Sequence, residues 1–191
     1  MTPPYFNLSF PARINVNAPL SSSVAASIQQ MNAVFLQSGF DDIDFSTGSP
    51  NLPHVTLLMG EVASASHFKE LLNKCERFSS NHSSISYSVG EPFWQKPALK
   101  FMFVNTDPLE QFKNFRIALY DEVQSLIRCE FYGGPENPSH ITVGYGDSRR
   151  LPIAKVKAAY RSTSGVFDVI RICEAGERGT CHNSLAEFRL L

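Results

Sequence analysis

The sequence has no apolar run near the roughly 18 residues that a membrane span requires. It has no low-complexity tract, no obvious linker and almost no charge imbalance. Seventeen basic residues stand against 18 acidic ones, for a formal net charge of −1. That balance excludes a strongly basic nucleic-acid scaffold, whose affinity would rest on neutralising many phosphates. It leaves room for a small phosphate-bearing ligand, which needs only a few local donors. Cysteine is scarce. Cys75, Cys129, Cys173 and Cys181 form no C-x-x-C pair, so a reduced, intracellular chain is the simplest expectation. Cys173, Cys181 and His182 lie close together, but in no structural zinc spacing, and no metal is expected there. The start, MTPPYFNLSF, lacks a basic region followed by an apolar stretch. No signal peptide is therefore expected, and the cytoplasm or nucleus is the expected compartment. The sequon Asn81-His82-Ser83 is idle on that reading.

What is present is enough hydrophobic material, 43% of 191 residues, to bury one core. The stretch ARINVNAP (12–19) alternates with Ile14 and Val16 on one face and reads as a strand. Leu20, Val24, Ile28, Met31 and Phe35 then fall at helical spacing, with serines 21–23 as a cap and Gly39 as a stop. IDFS (43–46) reads as a short strand. Phe68, Leu71, Leu72, Cys75 and Phe78 form the stripe of a second helix over about 65–78. ISYSVG (85–90) and LKFMFVN (99–105) read as strands on either side of the loop EPFWQKP. Asp107 as N-cap, Pro108 at N1 and Glu110 at N3 predict a third helix. CEFYGGPENPS reads as a turn-rich connection. Pro152 opens a fourth helix, and VFDVIRIC (166–173) and SLAEFRLL (184–191) read as a closing pair of strands. The expected class is α+β: one domain over 1–191, with two pseudo-symmetric lobes of antiparallel sheet, outer helices and a central cleft.

The chemistry lies in two matched stretches, LPHVTLLMG (52–60) and PSHITVGYG (138–146). Residues i and i+2 of a strand share a face, so His54 and Thr56 point one way, and Val55 and Leu57 the other. His140 and Thr142 repeat the arrangement against Ile141 and Val143. Meeting across a cleft, two imidazoles and two hydroxyls suit in-line displacement at phosphorus. That reaction needs a base on the attacking oxygen and an acid on the leaving oxygen. Histidine, with an unperturbed pKa near 6.5, serves either role, and threonine hydroxyls can hold the non-bridging oxygens. With serine allowed at the third position, His82-Ser83-Ser84 and His182-Asn183-Ser184 also match. Those two sit in polar, loop-like stretches, without an apolar strand around them.

Paired H-x-[ST]-apolar motifs, here HVTL and HITV separated by 140 − 54 = 86 positions, resemble those of the 2H phosphoesterases. These are also called the LigT-like or cyclic phosphodiesterase-like proteins. The likeness in element order spans nearly the whole chain, and its residue specificity rests on the two motifs. The resemblance implies that His54 and His140 are catalytic and that Thr56 and Thr142 bind phosphate. It also implies metal-independent chemistry without a cofactor, on a 2′,3′-cyclic phosphate of a nucleotide or RNA end. The alternatives are a 2′,5′- or 3′,5′-oligonucleotide phosphodiesterase that leaves a cyclic phosphate, and a non-catalytic nucleotide- or RNA-binding module. HITV has valine where leucine is commoner, a conservative departure on the apolar side. Trp94 and Tyr132, in loops, are the candidate base-stacking residues, ahead of Phe93. Tyr145 is placed on the apolar face by its parity with Ile141 and Val143. Lys96, and with it Lys100, could contribute charge to a phosphate, as could Arg149 and Arg150 from a solvated turn. The expected partner is the nucleotide or RNA-end substrate, met by a monomer without a membrane.

Overall fold

The computed structural model describes residues 8–40, 42–94, 101–132, 138–146 and 152–191, with only the backbone at 131 and 132. Within these lie β1 (Ala12–Pro19), α1 (Ser22–Gln37), β2 (His54–Val62), α2 (Ala65–Ser79), β3 (Ile85–Val89), β4 (Phe93–Trp94) and β5 (Phe101–Asp107). There follow α3 (Leu109–Val123), β6 (Arg128–Tyr132), β7 (His140–Tyr145), α4 (Ile153–Ala159), β8 (Thr163–Phe167), β9 (Val169–Ala175) and β10 (Cys181–Arg189). The strands build one curled antiparallel sheet in the order β10-β9-β1-β2-β7-β5-β3-β8, with β6 also on β2 and β4 also on β5. The α+β expectation holds. The two halves meet where β2 lies beside β7, through the single registered pair Val55↔Ile141. No helix among the described residues is long and apolar enough to cross a membrane.

One face of the sheet is covered by helices. Ile14, Val16, Val55, Met102, Val104, Ile141 and Val143 point into it and are almost fully buried. Burial of such side chains contributes about 1.5–3 kcal/mol each. Asn32 of α1 sits buried in this layer. Its Nδ2 donates to the carbonyls of Ile43 and Val143 at 2.9 Å each, and its Oδ1 accepts from the Phe45 amide at 3.0 Å. Hence IDFS is not a strand. Its backbone groups are satisfied by a side chain, and Ile43 and Phe45 drop into the core from an irregular segment.

Three other expectations change. Asp107 does not cap α3, because its backbone is the last rung of β5, opposite Ser88. Pro108 occupies the cap position with extended dihedrals and no side-chain bond. VFDVIRIC is not one strand. It breaks at Asp168, so that β8 pairs with β3 in one half while β9 pairs with β1 and β10 in the other. Nor is CEFYGGPENPS turn throughout: its first four residues belong to β6, which pairs with β2. That close approach uses a glycine: a Cβ on Gly60 would strike the Arg128 carbonyl and lie 2.8 Å from Cys129 Cα. Since both obstacles are backbone, Gly60→Ala is expected to cost about 1–3 kcal/mol, read as a lower urea midpoint. An unchanged midpoint would contradict this packing.

The cysteines also depart from expectation. Cys75 and Cys129 are free, but Cys173 on β9 and Cys181 at the start of β10 form a disulfide, with Cα atoms 5.6 Å apart. Adjacent antiparallel strands bring them together, which an eight-residue separation did not reveal. The bridge closes the loop containing Glu177–Gly179. His182 turns to Asn51 Oδ1 at 2.6 Å and Thr180 Oγ1 at 3.2 Å.

Candidate active site

The pair Val55↔Ile141 determines the placement of both motifs. In an antiparallel ladder it sets His54 opposite Thr142 and Thr56 opposite His140, with all four side chains on the face away from Val55 and Ile141. The two histidines are then diagonal neighbours, within roughly 7–8 Å of each other. The motifs therefore lie side by side on adjacent strands, at the seam between the halves. His54 is 9% exposed, and the other three are partly buried.

Both imidazoles are held by the same device. The carbonyl two residues upstream can only accept, so each ring carries its proton on Nδ1. His54 Nδ1 donates to the Leu52 carbonyl at 2.7 Å, and His140 Nδ1 to the Pro138 carbonyl at 3.1 Å. The proline before each motif is part of this geometry: Pro53 lies between Leu52 and His54, and Pro138 is itself the acceptor. Each neutral ring thus presents an Nε2 lone pair. That of His54 accepts from Asn15 Nδ2 at 3.0 Å, and the same amide nitrogen donates to the Gly179 carbonyl at 3.0 Å. Among the described residues nothing takes Nε2 of His140, and neither threonine hydroxyl has a partner. The His140 ring packs against Phe103, centroid to centroid at 4.2 Å.

Burial favours the uncharged form of both rings. It is the main cause pulling His54 down to about 4, with the Leu52 carbonyl opposing and the charges of Arg171 and His140 assisting. His140 is also lowered, chiefly by burial and then against the Pro138 carbonyl, with the Arg116 guanidinium adding to the effect.

The rows across the sheet reveal residues that the sequence reading missed. Asn17 faces Thr56, and Asn105 faces His140. Arg171 faces Asn17 from β9, and Glu187 faces Arg171 from β10. A polar row, Glu187–Arg171–Asn17–Thr56–His140–Asn105, therefore crosses the open face through the site. The signal was available: in ARINVNAP the asparagines alternate with the apolar residues, and in VIRI Arg171 alternates with Ile170 and Ile172.

Tyr145 is also on this face, contrary to the parity expectation. The register between β5 and β7 slips beside Val143, with Phe103↔Thr142 followed by Met102↔Gly144. The extra residue turns Gly144 to the helices, where a Cβ would lie 2.7 Å from the Phe35 ring, and turns Tyr145 to the open side. There Tyr145 meets Phe101 at 4.7 Å, and Phe101 stacks on Phe103 at 5.6 Å. Arg178 lies over the Tyr145 ring at 4.3 Å and pairs with Asp42 at 2.8 Å. Among the aromatic candidates, Phe93 pairs with Phe103 on the site face. Trp94 pairs with Met102, whose side chain enters the core, and so is directed away from the histidines. Tyr132 pairs with Leu58, and its side chain lies outside the described residues, as do Lys96, Lys100, Arg149 and Arg150.

No family model matches the sequence, and no curated protein matches it significantly by sequence. Solved structures do match by fold. A phosphoesterase crystal structure aligns with TM-score 0.70 at 16% identity, over 94% of this chain and 98% of its own. Apo E. coli LigT aligns with TM-score 0.68 at 17% identity, over 95% and 99%. The PDE domain of MHV ns2 aligns with TM-score 0.56 at 12% identity, over 93% and 99%. The fold is that of the LigT-like phosphoesterases.

Proposed function

We propose that this protein is a metal-independent phosphodiesterase that opens a 2′,3′-cyclic phosphate on a nucleotide or RNA end. The observation that carries the reading is the pair of imidazoles in one tautomer, set diagonally on one face, each with a threonine beside it. A phosphate seated between the rings has a nitrogen on either side, as in-line displacement requires. Thr56 and Thr142 donate to its non-bridging oxygens. His140, whose Nε2 is open, takes the proton of the attacking water. The phosphorus–ribose oxygen bond breaks on the far side, and His54 supplies a proton to the departing oxygen. His54 is neutral in the free protein and its Nε2 is engaged by Asn15, so in this step the substrate displaces that amide and its negative charge draws a proton from solvent onto Nε2.

In the aromatic row that begins at His140, Phe103 is buried and Tyr145 is covered by Arg178, so the half-buried Phe101 between them is the candidate stacking face for a base, a stack contributing roughly 1–3 kcal/mol. Nucleotide recognition is also in keeping with the LigT structures, which include complexes with phosphate, 3′-AMP, NADP+ and ATP.

The test is a panel of 2′,3′-cyclic mononucleotides, 2′,5′-oligoadenylate and 3′-tailed RNA, assayed with and without EDTA. The expected result is conversion of the cyclic mononucleotides to one monophosphate regioisomer, at a rate indifferent to the chelator. Cleavage confined to linear 2′,5′ linkages, with a cyclic phosphate product, would move the substrate class. Binding without turnover would make the protein a binding module.

A further inference from the structure

Arg171, a charged group on the open face, has no task in the proposed chemistry. Arg171 shares the row of Asn17 and Thr56, two strands from β2. At the spacing of adjacent strands, that places its Cα roughly 10 Å from that of Thr56, within reach of a long side chain. Its charge is close enough to depress protonation of His54. Its side chain is 18% exposed, and its Nε donates to Glu187 Oε1 at 2.7 Å. Glu187 therefore holds the guanidinium at Nε and leaves both Nη atoms without a partner among the described residues, two strands from Thr56.

Two other arginines near the site on this face are differently engaged. Arg13 is bound to Glu130 and the Gly176 carbonyl. Arg178 is bound to Asp42 and lies on Tyr145.

An oriented guanidinium with an unoccupied fork is the donor geometry that matches a phosphate bidentately. We propose that Arg171 forms a second anion subsite, which binds a phosphate one position away from the one held between His54 and His140. This rests on the proposed function and narrows it. The preferred substrate carries an additional phosphate, as an oligonucleotide end or a 5′-phosphorylated nucleotide does, and a bare cyclic mononucleotide fills only half of the site. Asn17, fully buried between Arg171 and Thr56, spaces the two subsites.

The test reads binding, so it does not depend on turnover. Calorimetry compares adenosine 2′-monophosphate with adenosine 2′,5′-bisphosphate on the full chain. Wild type is expected to bind the bisphosphate at least about tenfold more tightly, since hydrogen bonds to charged groups are of that size. Arg171→Gln is expected to bring the ratio near one, and Arg171→Lys, which keeps the charge but loses the fork, to leave it in between. Glu187→Gln keeps an acceptor for Nε while removing a negative charge, and is expected to hold or raise the ratio. A wild-type ratio near one overturns the proposal, as does a ratio unchanged in Arg171→Gln. A Glu187→Gln ratio that falls with that of Arg171→Gln also overturns it, because a merely structural ion pair would behave that way. Failure of the cyclic-phosphate reading is separate: it appears as absence of turnover while the Arg171-dependent ratio persists.

Discussion

His54→Ala and His140→Ala are each expected to lower turnover on the order of 10²–10⁴-fold while leaving the fold intact, as measured by steady-state rates beside a thermal melt. The size follows from the proposed role, in which each ring moves a proton at one end of the displacement. Retention of the fold follows from the location. The imidazoles are on the open face, and the strand pair is anchored from the other side by Val55 and Ile141, which are 1% and 0% exposed. The double variant is expected to lose little more than the worse single one, since a base without its acid is already idle. Near-wild-type turnover by either single variant, on any substrate that the protein cleaves, would end the two-histidine mechanism.

Acidification is expected to destabilise the protein earlier than its carboxylates alone would require. His54 titrates near 6.5 when unfolded and at about 4 when folded. Between those values the unfolded chain binds a proton that the folded one refuses. Stability is therefore complete above about pH 6.5 and declines as pH falls toward 4. The difference of 6.5 − 4 = 2.5 units corresponds to about 3 kcal/mol. His140, lowered for the same main reason, acts in the same direction. Urea midpoints between pH 7 and 4 check this, with His54→Gln as the comparison. The slope should be shallower in the variant, and equal slopes would contradict the buried, neutral ring. The same pair of shifts moves activity: the bell of kcat/KM, which reports the free protein, is expected to centre below pH 6.5.

The sequence was most legible where period two was unbroken. HVT and HIT each placed a histidine and a threonine on one face, and the structure brings those four residues together. Helices α1 and α2 were readable because their apolar residues keep a regular stripe. The failures share a physical cause: a group satisfied by something distant in sequence. The backbone of IDFS is held by Asn32, the disulfide depends on β9 lying beside β10, and Asp107 is claimed by β3 before it can cap a helix. The polar row is the subtler miss. Asn17 and Arg171 were each visible as the off-phase residue of an apolar strand, but their alignment exists only through register. Trp94 and Tyr145 were both judged by local pattern. The sheet reverses that choice, turning Trp94 toward the core and Tyr145 toward the histidines.

The slip that turns Tyr145 has a counterpart. In β2 the register against β1 shifts beside Leu57, so that Thr56 pairs with Asn17 and Leu58 with Val16. Each motif strand thus carries one supernumerary residue directly after its threonine, Leu57 in one and Val143 in the other, both wholly buried. Met59 and Tyr145, each five positions past a motif histidine, are returned by it to the site side. The apolar fourth letter of HVTL and HITV therefore acts as a phase marker. Its identity can drift among residues that fit the core, as leucine and valine do here, but its count cannot. Losing one residue at 57 or 143 would leave the histidine and threonine letters readable in the text while inverting every side chain beyond them.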